Sequence, residues 1–160
     1  MLQRQGSLCR RELVPHAGEV ALWQTATVQS LADIEHVIGV ITAAARDTAG
    51  LPADDLSRLR LALDEAFANA HQHGHQGAWG KPITVRYQAN GDGVAAEIED
   101  QGGGFDPAQV PDPLAPENLE RPSGRGLFLM RVSMSQVCHN EWGNCICLCR
   151  LCPGDKGPRP

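Results

Sequence analysis

Apolar side chains recur along this 160-residue chain with two different periods, and the period changes where glycine or proline intervenes. Residues 1–16 mix charge, Gly and Pro without any period and read as a flexible arm. Residues 19–26, EVALWQTA, form a short apolar-rich stretch of strand character. Ser30 then stands as an N-cap before Leu31, Ile34, Ile38, Ile41 and Ala45, which share one helical face, and Gly50 with Pro52 ends that helix. A second helix starts within 53–55, where acidic residues suit its N-terminal dipole, and runs to Gly74 with Leu56, Leu59, Leu63, Phe67 and Ala70 as its buried stripe.

Two alternating segments follow, 82–90 and 94–100, joined across Gly91-Asp92-Gly93 as a β-hairpin. Three successive glycines in Asp100-Gln-Gly-Gly-Gly-Phe105 break the second strand, and residues 106–123, with five prolines, read as a long loop. Residues 124–137 read as a third helix and 144–151 as a closing strand. This order predicts an α+β fold: a two-layer sandwich whose mixed, mainly antiparallel sheet carries its helices on one face. One domain is expected over 17–152, followed by a disordered tail over 153–160.

Charge and composition narrow the partners. Fourteen Lys+Arg against nineteen Asp+Glu, with seven aromatics, offer neither a basic footprint nor a stacking platform for nucleic acid. No apolar run approaches the roughly 20 residues a membrane helix needs, and the first residues lack the apolar stretch of a signal peptide, so a cytoplasmic protein with no membrane contact is expected. Five of the six cysteines crowd between Cys138 and Cys152, which then reads as free thiols in a reducing compartment. On a strand, Cys145 and Cys149 are about 13 Å apart, so the cysteines cannot close on one zinc ion. Ile146 and Leu148 are expected to face the helices and the cysteines the opposite side of the sheet.

Three places carry candidate chemistry. Glu65 and Asn69, four apart on the second helix, emerge on one face, where a carboxylate could take a proton and a carboxamide oxygen could hold magnesium. Asp100 precedes glycines that let a flat ligand or a phosphate approach the backbone, and its carboxylate could accept from an exocyclic amine such as that of adenine. Gly124-Arg125-Gly126 opens the third helix, where amides and a guanidinium converge on an anion site. His71, His73 and His75 are close in sequence, yet alternate residues of a helix diverge by about 200°, so His71 and His73 cannot share an ion unless the helix ends before them.

In this order, LDEAFANAHQHG, DQGGGFDP and SGRGLFLMR resemble the N, G1 and G2 boxes of the GHKL ATP-binding superfamily, the Bergerat or histidine-kinase-like fold. The nearest resemblance is to the bacterial anti-sigma-factor serine kinases, and it covers roughly residues 19–151. It implies ATP and magnesium as cofactors. By position Glu65 is similar to the catalytic base, Asn69 to the magnesium ligand and Asp100 to the adenine-reading aspartate, with Gly102 and Gly104 lining the nucleotide. Residues 106–123 look like the ATP lid, from which Arg121 would pair with phosphate oxygens, and Gly124, Arg125, Gly126 and Leu127 look like its phosphate-side anchor. There is no Walker A sequence, and neither Lys81 nor Lys156 follows such a loop. Two positions depart from the pattern: Asn144 stands where the last strand usually has threonine, and Ser135 where aspartate is common.

The function so implied is an ATP-dependent serine/threonine protein kinase that acts as an anti-sigma factor. It would hold a sigma factor and phosphorylate a small anti-anti-sigma antagonist, each partner displacing the other; a homodimer stays open. Two alternatives remain beside it. One is a detached catalytic domain of a histidine kinase, disfavoured because the first helix lacks a paired dimerisation helix. The other is a nucleotide-binding module that transfers nothing, against which Glu65 argues.

Overall fold

The side-chain alternation of Ile83, Val85 and Tyr87 on one strand and Val94, Ala96 and Ile98 on the next puts six apolar groups on one side of a hairpin, and this hairpin is the centre of the sheet. In the computed structural model, which describes residues 22–106, 109–110 and 125–153, five strands run in the order β1-β2-β3-β5-β4, and each neighbouring pair is antiparallel. They are β1 (Gln24–Val28), β2 (Ile83–Asn90), β3 (Gly93–Glu99), β4 (Gln136–His139) and β5 (Cys145–Leu151). The helices are α1 (Leu31–Asp47), α2 (Ala53–Asn69) and α3 (Arg125–Ser133), with a π-helical turn over Ala70–Gly74. The expected arm over 1–16, most of the proline-rich loop, and the tail from 154 onward lie outside the described residues.

Ser30 caps α1: its Oγ accepts the Asp33 N–H at 3.2 Å, while Asp33 Oδ2 accepts the Gln29 N–H at 2.9 Å, so two amides at the helix entrance are satisfied reciprocally. Ile34, Val37, Ile38, Ile41 and Ala45 then face the sheet. Leu31, expected in that stripe, is instead exposed; it lies in the first turn, before the helix reaches the sheet. α2 buries Leu59, Ala62, Leu63, Ala66 and Phe67 against the same side. All three helices thus cover one face, with Leu127 and Met130 of α3 completing the core.

Two expected boundaries are corrected. Among the described residues the first strand is Gln24–Val28, running two residues past the expected end at 26, because Ala26 and Val28 are the positions opposite Val85 and Ile83 of the hairpin; residues 19–21 of the expected strand lie outside the described residues. The third helix stops at Ser133 rather than at Val137, and Gln136–His139, the first two residues of which are expected in that helix, form the edge strand β4. The Ser135 N–H donates to Cys149 O at 2.9 Å and Val137 lies opposite Leu148, so pairing with β5 overrides helix propensity here.

The last strand alternates as expected. Leu148 and Ile146 pack on the helical side, whereas Cys147 and Cys149 join Ala95 in a separate cluster on the other face. Among the described residues no disulfide joins Cys138, Cys145, Cys147, Cys149 or Cys152. Burial, with Glu97 and Glu99 adding to it, pushes the Cys145 thiol up to about 12. Among the described residues no helix is long and apolar enough to cross a membrane.

Candidate functional site

Four residues advance an α-helix by slightly more than one turn, so Glu65 and Asn69 of α2 stand one above the other. The start of α3 crosses them at Gly126: a Cβ there would lie 2.6 Å from Glu65 Oε2 and 3.6 Å from Asn69 Oδ1. A residue with a side chain would fill the space these two polar groups face, and glycine keeps it open.

Asp100 enters from the sheet. It follows the last residue of β3, and its N–H donates to Asn144 O at 2.9 Å, continuing the pairing with β5. Its Oδ1 accepts the Gly102 N–H at 2.7 Å. Burial raises the carboxyl above the ordinary carboxylate range, against the Gly102 N–H, which favours the charged form. Asn144, the departure from the usual threonine, spends its amide on the backbone: Nδ2 donates to Asp100 O at 2.9 Å, and Oδ1 accepts from Asn140 Nδ2 at 2.8 Å. The Asn140 Oδ1 also takes the N–H groups of Asn144 and Cys145. The amide at 144 therefore props the aspartate's main chain.

The glycine loop closes over this support. Gly104 and Gly143 both have positive φ, +74° and +70°, and a Cβ on either would strike the other segment's carbonyl, Trp142 O or Phe105 O respectively. Loop and turn interlock at that point. Between them, α2 and α3 lies a cavity of about 370 Å³, lined by Asn69, Asp100, Gly104, Gly126 and Leu127 among the expected residues, with Ile98 and Ile146 as apolar floor. That volume suits a small-molecule ligand. One wall is aromatic: Phe105 meets His139 edge-on, ring centroids 5.5 Å apart. Burial and the nearby Arg131 lower the His139 pKa, so its imidazole is neutral at pH 7 and presents a flat, uncharged surface.

Glu65 and Gly102 stand immediately beside the cavity, at Gly126 and Asp100 respectively. Arg125 is exposed at the start of α3, and Arg121 and Gly124 lie outside the described residues. Sequence reasoning missed His139 and Asn140, because 124–137 reads as one helix; the alternation of Gln136, Val137, Cys138 and His139 was the available signal. The three histidines part company: His71 stacks on Trp79 at 4.1 Å, His73 lines the cavity, and His75 Nε2 accepts the Gln101 N–H at 3.1 Å. No group of three or more His, Cys, Asp or Glu side chains among the described residues is placed to hold a metal ion. Asn69 Oδ1, beside the space that Gly126 leaves open, is the hard oxygen donor that suits a magnesium ion completing its shell with phosphate and water.

Residues 27–150, which include the elements around this slot, match a family described as the histidine kinase-like ATPase domain. The chain belongs to that family. Curated relatives that the chain resembles include proteins named serine-protein kinase RsbW. The protein of Bacillus pumilus is 30% identical over 96 residues, which is 55% of this chain and 59% of that protein. That of Bacillus velezensis is 32% identical over 94 residues, again 55% of this chain and 59% of the relative. The Bacillus subtilis protein is 26% identical over 114 residues, 67% of this chain and 71% of its own length. The chain thus spans about three fifths of the first two relatives.

Proposed function

We propose that this chain is an ATP-dependent serine/threonine protein kinase of the anti-sigma type. The observation that carries the proposal is the convergence of Asn69, Gly126 and Asp100 on a single cavity, with Glu65 beside it at Gly126. Asp100 reads the base: with Oδ1 occupied by the Gly102 N–H, Oδ2 is left to accept an exocyclic amine, and the ring lies between Ile98, Ile146 and Phe105. Gly126 and Leu127 bring α3 against the phosphate end. Bound magnesium, held through Asn69, supplies charge neutralisation at the phosphates. Glu65 takes the proton from the substrate hydroxyl as its oxygen forms the new bond to the terminal phosphorus and the bond from that phosphorus to the ADP oxygen breaks.

Similarity to serine-protein kinases of the RsbW name supports serine as the acceptor. The partners follow from the same resemblance: a sigma factor held by the kinase and a small antagonist protein that is phosphorylated and released, with cytoplasm as the setting.

The test uses radiolabelled ATP and proteins that co-purify with the chain. An acid-stable phosphoprotein product is expected, and Glu65→Gln should retain ATP while losing transfer by about 10²–10⁴-fold. An acid-labile product would turn the assignment to histidine phosphorylation. Transfer at the wild-type rate by Glu65→Gln would place the base elsewhere.

A further inference from the structure

The chain leaves α2 through the π-helical turn Ala70–Gly74, a conformation found mostly as single turns at functional sites. This turn presses α2's end onto the glycine loop. A Cβ on Gly74 would collide with the Asp100 carboxylate, and one on Gly102 would collide with the Gly74 carbonyl. His75 follows directly, 6% exposed, its own N–H donating to Ala70 O at 3.0 Å.

Two consecutive amides of the loop are then held by side chains from opposite sides. The Gly102 N–H goes to Asp100 Oδ1, and the Gln101 N–H goes to His75 Nε2 at 3.1 Å. An accepting Nε2 carries no proton, so the proton of the neutral ring sits on Nδ1, which is buried with no partner. A buried donor left unmatched costs stability that a phenyl ring at this position would not incur. The one polar contact the ring makes among the described residues is to the loop.

We infer that His75 is a positioning residue for the base-reading subsite: its Nε2 lone pair fixes Gln101, and through Gln101 the orientation in which Asp100 and Gly102 meet a purine. This rests on the reading of Asp100 given above. A second proton on the ring would aim an Nε2–H at the Gln101 N–H, and two facing donors would push the loop out of its binding shape. Asp100 would attract the imidazolium; of the other charged and titratable groups on the neighbouring elements, Glu99 at the end of β3 is paired with Arg86, and His71 and His73 share the turn.

Calorimetry of Mg-ADP binding between pH 5.5 and 7.5, on the whole chain, separates these roles. His75→Gln places an oxygen where Nε2 stands and has no proton to gain in that range, whereas His75→Phe keeps the ring shape and removes the acceptor. The ADP phosphates are common to all three proteins, and both variants lack the imidazolium that acts on Asp100, so any change at that carboxyl is shared by His75→Gln and His75→Phe. Imidazole is the side chain that changes charge between pH 5 and 8. At pH 7.5 His75→Gln should bind within about twofold of wild type, and His75→Phe about three- to tenfold more weakly, the loss of one hydrogen bond. At pH 5.5 wild type should have lost about fivefold more affinity than His75→Gln, again the scale of one hydrogen bond. If wild type binds ADP and the wild-type and His75→Gln profiles superimpose, the inference fails and the nucleotide reading stands. If wild type binds no ADP at any pH, the nucleotide reading fails and takes the inference with it.

Discussion

At Asp100 folding and binding pull in opposite directions. Burial holds its pKa above the ordinary value of 3.8, so the folded chain keeps a proton that the unfolded chain releases. The sign follows: stability falls as pH rises from 3.8 through the folded-state pKa, and above that window the buried charge is a standing cost. Asp100→Asn escapes the cost while its side-chain oxygen still accepts the Gly102 N–H. The variant should melt at or above the wild-type temperature at pH 7, with no advantage at pH 3, yet bind ADP more weakly by about 1–3 kcal/mol for a charge-assisted hydrogen bond. Thermal melts at the two pH values and calorimetry check both halves; unchanged affinity in the folded variant would remove Asp100 from base recognition. Glu65, Asn69 and Asp100 stood out in the sequence because residue type and short spacing suffice to mark them. Asn140 did not, and His75 was marked only as one of three neighbouring histidines, since Asn140 matters through the Asp100 support and His75 through Gln101, contacts that no local spacing encodes.

The elements are joined at the end remote from the cavity by an ion pair whose carboxylate is buried and whose guanidinium is half-buried. Arg150, near the end of β5, binds Asp55 in the first turn of α2, and its Nη1 donates to Ser133 O at the C-terminus of α3 at 3.0 Å. One guanidinium thus ties together a strand, a helix start and a helix end. Arg150→Met should leave the Asp55 carboxylate buried without its cation and destabilise the fold by about 3–5 kcal/mol, whereas adding Asp55→Leu should recover part of that loss. Urea denaturation of the single and double variants measures the difference; a double variant no more stable than Arg150→Met would show that the isolated charge is not the cause. Element identity was legible wherever local chemistry repeats tertiary demand. Ser30 caps α1 in sequence and in space, and Gly91-Asp92 turns a hairpin whose alternation already faces the core. Residues 134–137 were not legible as the approach to a strand, because Met134 and Val137 continue the helical spacing of α3 and only the partner β5, several residues further on, decides for pairing.

Across the whole molecule, one cluster of buried side chains runs from Val28 on the outer strand through α1, α2 and the hairpin to Leu127 and Met130 beneath the cavity. The α2 side chains that build this core alternate with those that build the site: Ala66 and Phe67 are buried between Glu65 and Asn69 on the same two turns. Among the described residues, Ala66, Ala70, Ile98 and Leu127 line the cavity and belong to this cluster as well, so opening the helical side of the cavity disturbs the common core. Binding at the cavity should therefore stabilise distant parts as much as near ones. With ADP at one hundred times its dissociation constant the linkage is about 2.7 kcal/mol, which slows exchange through global opening by about 100-fold. Native-state hydrogen exchange should show that slowing equally at Ile98 beside the ligand and at Ile41 of α1 and Val85 of β2, which do not line the cavity. Protection that rises at Ile98 and stays unchanged at Ile41 and Val85 would mean that the ligand end opens as a separate unit, and the single-core account would be wrong.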